Sequence, residues 1–113
     1  MSKYKLSFSL ITLLITLQLS GCSSVQVGRD FDVQIFNSSV KANVTTKNQV
    51  KSWLGEPGST GISLDKDGEF STEWMYFYGA GSLSNMTNAK IKILQIRFNK
   101  NGIINSYNWS DSK

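Results

Sequence analysis

A chain of 113 residues with 12 basic and 8 acidic side chains has room for one small domain with a modest core. It holds no histidine and a single cysteine, which excludes imidazole catalysis, most zinc sites and an internal disulfide. Setting aside Lys3 and Lys5, which fall in the leader read below, leaves 10 basic against 8 acidic side chains. That net charge of +2, with no basic cluster, argues against nucleic acid as a partner.

The chain opens with Lys3 and Lys5, followed by an uncharged stretch over residues 6–19 rich in leucine and isoleucine. This is the layout of a secretory signal. The stretch is short of the about 20 residues that a membrane-spanning helix needs. Leu19-Ser20-Gly21-Cys22 follows. These four residues resemble the bacterial lipobox, in which the thiol is acylated and a peptidase cuts before the cysteine. The reading is a signal peptide over residues 1–21, a lipidated flexible tether over 22–28 and a domain over 29–113. Cys22 is the lipid anchor, and its acyl chains hold the protein on a membrane. Ser23 lacks the aspartate that retains enterobacterial lipoproteins at the inner membrane. The expected location is the outer membrane, facing the periplasm.

A weakly patterned helix is expected over residues 30–40, with Phe31, Ile35 and Val40 on one face. A second is expected over 47–54. There Thr46 and Gln49 have the spacing of a capping box, and Val50, Trp53 and Leu54 repeat at helical period. Gly55 and Pro57 end it. Residues 59–64 suit a short strand, and Asp65-Lys66-Asp67-Gly68 a turn. The five residues Asp65 to Glu69 are too compact for a twelve-residue calcium loop. Aromatic enrichment marks a strand over 72–79. Residues 79–88, rich in Gly, Ser and Asn, read as a loop. Strands over 90–98 and 103–110 are joined by Asn99-Lys100-Asn101-Gly102, a strong hairpin signal. The main elements give an α+β fold of two layers, ααβββ: two short helices on one face of a three-stranded antiparallel sheet.

Four segments carry a further resemblance: Val44-Thr45-Thr46-Lys47-Asn48-Gln49-Val50, Leu54-Gly55-Glu56-Pro57, Trp74-Met75-Tyr76 and Leu94 to Gly102. Across about residues 29–109 they resemble the SmpA/OmlA (BamE-like) outer-membrane lipoprotein family. Asn43 stands where that family often has glycine. The resemblance implies the ααβββ fold and a role that is not enzymatic. It implies an accessory in β-barrel outer-membrane protein assembly or envelope integrity, acting through barrel-assembly subunits and anionic phospholipid. The two-layer fold also resembles that of β-lactamase inhibitory proteins, which gives the alternative of a lipoprotein that inhibits a hydrolase or binds a small ligand through its sheet face. No cofactor, metal site or catalytic residue is indicated.

Strand alternation supplies a candidate site. With Trp74, Tyr76, Leu94, Ile96 and Phe98 packed on Val50, Trp53 and Leu54, the residues Met75, Phe77, Ile91 and Ile93 point the other way. Rimmed by Lys92, Gln95 and Arg97, they form a candidate partner-binding patch. A β-bulge near Ile93 and Leu94 would instead return Ile91 and Ile93 to the core. For the anchor, Cys22→Ser should leave an unlipidated precursor. Mass spectrometry of the wild-type mature N-terminus should find acylated Cys22, and a free residue there would refute the lipobox reading.

Overall fold

The computed structural model describes residues 24–82 and 85–112, with side chains left aside at 85–87. The signal segment, Cys22 and Ser23 lie outside the described residues. Among those described, no helix is long and apolar enough to cross a membrane. The elements in chain order are β1 (Ser24–Gly28), α1 (Val33–Ser39), α2 (Lys47–Leu54), β2 (Ser59–Leu64), β3 (Phe70–Ser82), β4 (Asn85–Phe98) and β5 (Ile104–Asp111).

The three-stranded ααβββ arrangement is therefore corrected. The sheet has five antiparallel strands, in the order β1-β3-β4-β5, with β2 also paired to β3. Two segments account for the difference. Residues 24–28, expected as a tether, form β1 and pair with β3 from Ser24↔Ser82 to Gly28↔Tyr78. β2 takes the other half of the same β3 edge, from Ser59↔Met75 to Leu64↔Phe70. The expected 79–88 loop is also largely strand, because β3 runs to Ser82 and β4 starts at Asn85. Gly79, Ala80, Gly81 and Ser82 have little strand preference of their own. Backbone pairing to β1 on one side and β4 on the other holds them extended.

The helices begin where side chains satisfy orphan amides. Asp32 caps α1, its Oδ1 accepting from the N–H of Gln34 at 2.9 Å and Ile35 at 3.3 Å. Val33 and Phe36 are the buried residues of α1; of the expected face, Phe31 lies in the core just before the helix and Val40 packs against it, whereas Ile35 is exposed, which corrects that part of the reading. The capping box of α2 forms reciprocally: Gln49 N–H donates to Thr46 Oγ1 at 3.3 Å, and Thr46 N–H to Gln49 Oε1 at 2.9 Å. Gly55 ends α2 at φ +81°, its N–H donating to the Lys51 carbonyl.

The loop between the helices is tied to β5. Asn43, at φ +65°, donates its N–H to the Ile104 carbonyl, and Ile104 N–H donates to the Thr45 carbonyl at 2.8 Å. Asn is among the few residues that visit this region easily. In the β4–β5 turn, Asn99 Oδ1 accepts from the N–H of Asn101 and Ile103, and Gly102 takes φ +75°. In the 65–69 turn, Asp65 Oδ1 accepts from Asp67 N–H at 2.7 Å and the Asp65 carbonyl from Gly68 N–H. Backbone amides thus occupy Asp65, and no group of three metal-binding side chains exists among the described residues.

Register fixes the core. Trp74↔Ile96 and Tyr76↔Leu94 are cross-strand partners, so all four side chains face the helices. They pack with Phe31, Val33, Phe36, Val50, Leu54, Phe98 and Ile104. Trp74 meets Phe98 edge-on at 4.8 Å between ring centroids, and Trp53, only half-buried, meets Phe36 at 6.5 Å. A register shift between Arg97 and Phe98 sets Ile104 opposite Phe98 and turns it inward. Buried Tyr76 donates its hydroxyl to the Gly55 carbonyl at 2.8 Å, joining sheet to helix end. Burial, with the Glu56 carboxylate nearby, pushes its pKa up to about 12.

Phe98 is fully buried, so Phe98→Ala should cost about 3–5 kcal/mol, a large share of the roughly 5–15 kcal/mol a domain holds. Trp53→Ala should cost clearly less, which urea unfolding of the two variants will rank. Tyr76 keeps its proton in the folded state where an unfolded tyrosine, near 10, has lost it. Its contribution is complete below pH 10 and is lost as pH rises towards 12. Tyr76→Phe should therefore flatten the alkaline fall of stability, measured as melting temperature from pH 9 to 12.

Candidate docking face of the sheet

Both helices lie against the side of the sheet that carries Trp74, Tyr76, Leu94, Ile96 and Phe98. Among the described residues, no helix lies on the opposite face. β4 keeps an unbroken register with β3 from Lys90↔Ala80 to Phe98↔Thr72, so there is no bulge at Ile93 and Leu94. Met75, Phe77, Ile91 and Ile93 consequently share the uncovered face, with Phe77 and Ile93 directly opposed and Met75 opposite Gln95. Of the expected rim, Gln95 and Arg97 are on this face. Lys92 is not. It turns to the helix side, where its Nζ donates to Asp30 Oδ1 at 2.6 Å and to the Phe31 carbonyl at 3.0 Å. That pair raises the lysine pKa and lowers the aspartate pKa.

Two residues of this face escape a reading of residues 24–28 as a tether. Val25 and Val27 of β1 pair with Gly81 and Gly79, and Gly79 pairs with Ile91, so all lie on the same side. They are 40% and 55% exposed, and Ile91 is 49%. The Val25-Gln26-Val27 alternation was the available signal, and three residues are too few to mark a strand without a partner.

Phe77 sits where β1 and β2 meet on the edge of β3. A Cβ on Gly28 would lie 2.3 Å from the Phe77 carbonyl oxygen, and one on Gly58 2.8 Å from its ring. The two glycines admit the ring between the strand ends, which leaves Phe77 half-buried and anchored.

Along the strands the face changes character. Past Met75 and Gln95 it becomes polar, with Glu73 and Arg97 in an ion pair of 2.7 Å beside Ser59, Ser106 and Asn108. These residues line a depression of about 310 Å³. Both members of the pair are more than two-fifths exposed, so the pair adds little stability. A separate exposed cluster, Ile62, Leu64 and Phe70, lies on the helix side at the far end of β3, beyond the helices. Comparisons of the chain with protein families, curated proteins and solved structures return no match.

Proposed function

We propose that the protein is an outer-membrane lipoprotein anchored through acylated Cys22, and that it works by binding rather than by catalysis. The uncovered sheet face supports this reading most directly. A two-layer domain this small ordinarily turns polar side chains outward from its second face, whereas this one presents Met75, Phe77, Ile91 and Ile93 with Val25 and Val27. The part of this strip next to the polar border, Met75, Phe77 and Ile93 beside Gln95, Glu73 and Arg97, suits a protein partner that covers it and meets those polar groups. The sequence resemblance supplies the class of partner: subunits of the barrel-assembly machinery, with the protein as a BamE-like accessory to outer-membrane protein assembly or envelope integrity.

The test is co-purification from detergent-solubilised envelope. Ile93→Asp should reduce capture of barrel-assembly subunits while leaving circular dichroism and melting temperature near wild type. Phe77→Asp should reduce capture and also lower the melting temperature, because its ring fills the gap between Gly28 and Gly58. Undiminished capture by both variants would remove the uncovered face as the docking surface. Recovery of a hydrolase instead of assembly subunits would favour the inhibitor reading.

A further inference from the structure

The end of the sheet that carries β1 is amphipathic row by row across three strands. Val27, Gly79 and Ile91 form one row, and Val25 and Gly81 begin the next on the same side. Gln26, Ala80 and Lys90 form the row between them and point to the other side, as do Ser24 and Ser82. One face of this end is therefore valine, isoleucine and glycine, and none of the residues these rows place on it is charged. The opposite face is polar and carries Lys90. Helices α1 and α2 reach neither face here, since their buried contacts on β3 and β4 involve Trp74, Tyr76, Tyr78, Leu94, Ile96 and Phe98.

The position of this ribbon in the chain decides what meets it. Val25 is three residues from Cys22, a distance of at most about 11 Å even for a fully extended chain. The headgroup layer of one leaflet is itself about 5–7 Å deep. If Cys22 is acylated, β1 cannot lie far from the membrane surface, and a protein partner has little room to enter between them. We propose that the β1 end of the sheet is a membrane-seating ribbon, with Val25, Val27 and Ile91 entering the interfacial layer of the phospholipid leaflet that holds the acyl chains. Gln26 and Lys90 stay in water on the other side. This is the sheet counterpart of an interfacial amphipathic helix, which binds by burying its apolar face just below the headgroups. The inference rests on the lipid-anchor reading and extends it. The acyl chains fix the protein to the leaflet, and the ribbon fixes its orientation. Phe77 and Ile93, farther along the same face, are then presented to a partner at the membrane surface. The 65–69 turn, twelve residues of β3 away from Ser82, points about 40 Å up the strand.

Cys22 is the only cysteine, so in the acylated protein an introduced cysteine is the only free thiol. Single variants Val27→Cys, Ile91→Cys, Gln26→Cys and Asp67→Cys of the mature lipoprotein would be labelled with an environment-sensitive fluorophore. Each would be reconstituted into vesicles of phosphatidylethanolamine and phosphatidylglycerol. Labels at positions 27 and 91 should shift to the blue, brighten several-fold and be quenched by nitroxide-bearing lipids, whereas those at 26 and 67 should remain water-like. Labels at 27 and 91 indistinguishable from the one at 67 would overturn the proposal, as would protection that occurs in native outer membranes but not in pure lipid. Mass spectrometry of the same samples separates the two readings. An acylated protein with water-exposed labels refutes the ribbon alone, and a protein without acyl groups refutes the anchor and the ribbon together.

Discussion

Strand β3 is hydrogen-bonded on both edges, to β4 along one and to β2 and then β1 along the other. That double pairing is the constraint on which the rest of the structure depends. It fixes the alternation of a thirteen-residue strand, so that Trp74 and Tyr76 point to the helices while Met75 and Phe77 point away. A slip of one residue would exchange the two sets, exposing the core aromatics and burying the outward ones. Leu94, Ile96 and Phe98, all buried opposite β3, make such a slip costly.

The two faces then follow different physics. On the helix side, burial dominates: Phe36, Val50, Leu94, Phe98 and Ile104 have no exposed surface, and the Tyr76 hydroxyl reaches the Gly55 carbonyl without leaving an unpaired polar group. On the other side no second layer is formed among the described residues, and those on it sort along the strand axis instead. Valines and isoleucines gather near β1, and the Glu73–Arg97 pair stands near β2. Because β1 follows Cys22 closely in the chain, the apolar end is the one nearest the proposed lipid anchor. The sorting therefore gives the face a direction relative to the proposed membrane attachment, which a uniformly apolar or uniformly polar face would lack.

The junction of β1 and β2 against β3 shows how few residues this needs. Both strands are short, and each occupies half of the same edge. Gly28 and Gly58 flank the Phe77 ring closely enough that a side chain at either would collide with it. On the helix side the Lys92–Asp30 pair secures the segment between β1 and α1 to β4. β1 itself is thus held by backbone pairing, while the segment after it is held by Lys92, by Arg29 donating to the Glu56 carbonyl and by buried Phe31.

Features built from near neighbours were legible in the sequence. The Thr46–Gln49 capping box, the Gly55 stop, the Asn99–Gly102 turn and the alternation of the β3 and β4 residues all arise from contacts within a few residues, and local chemistry determines them. Placing Met75, Phe77, Ile91 and Ile93 together away from the core also needed only the period of a strand. The tertiary structure decided the rest. Ser24–Gly28 and Gly79–Ser82 are extended because each supplies the other's hydrogen-bonding edge, a partnership across more than fifty residues that neither segment signals by propensity. The face of α1 was decided by packing against the core, which buries Val33 and Phe36 and leaves Ile35 exposed, and the partner of Lys92 by the reach from β4 to Asp30. Strand pairing is non-local. The sequence could specify which residues prefer a half-buried pleated surface, but only the assembled sheet could count its strands and show which face was left uncovered.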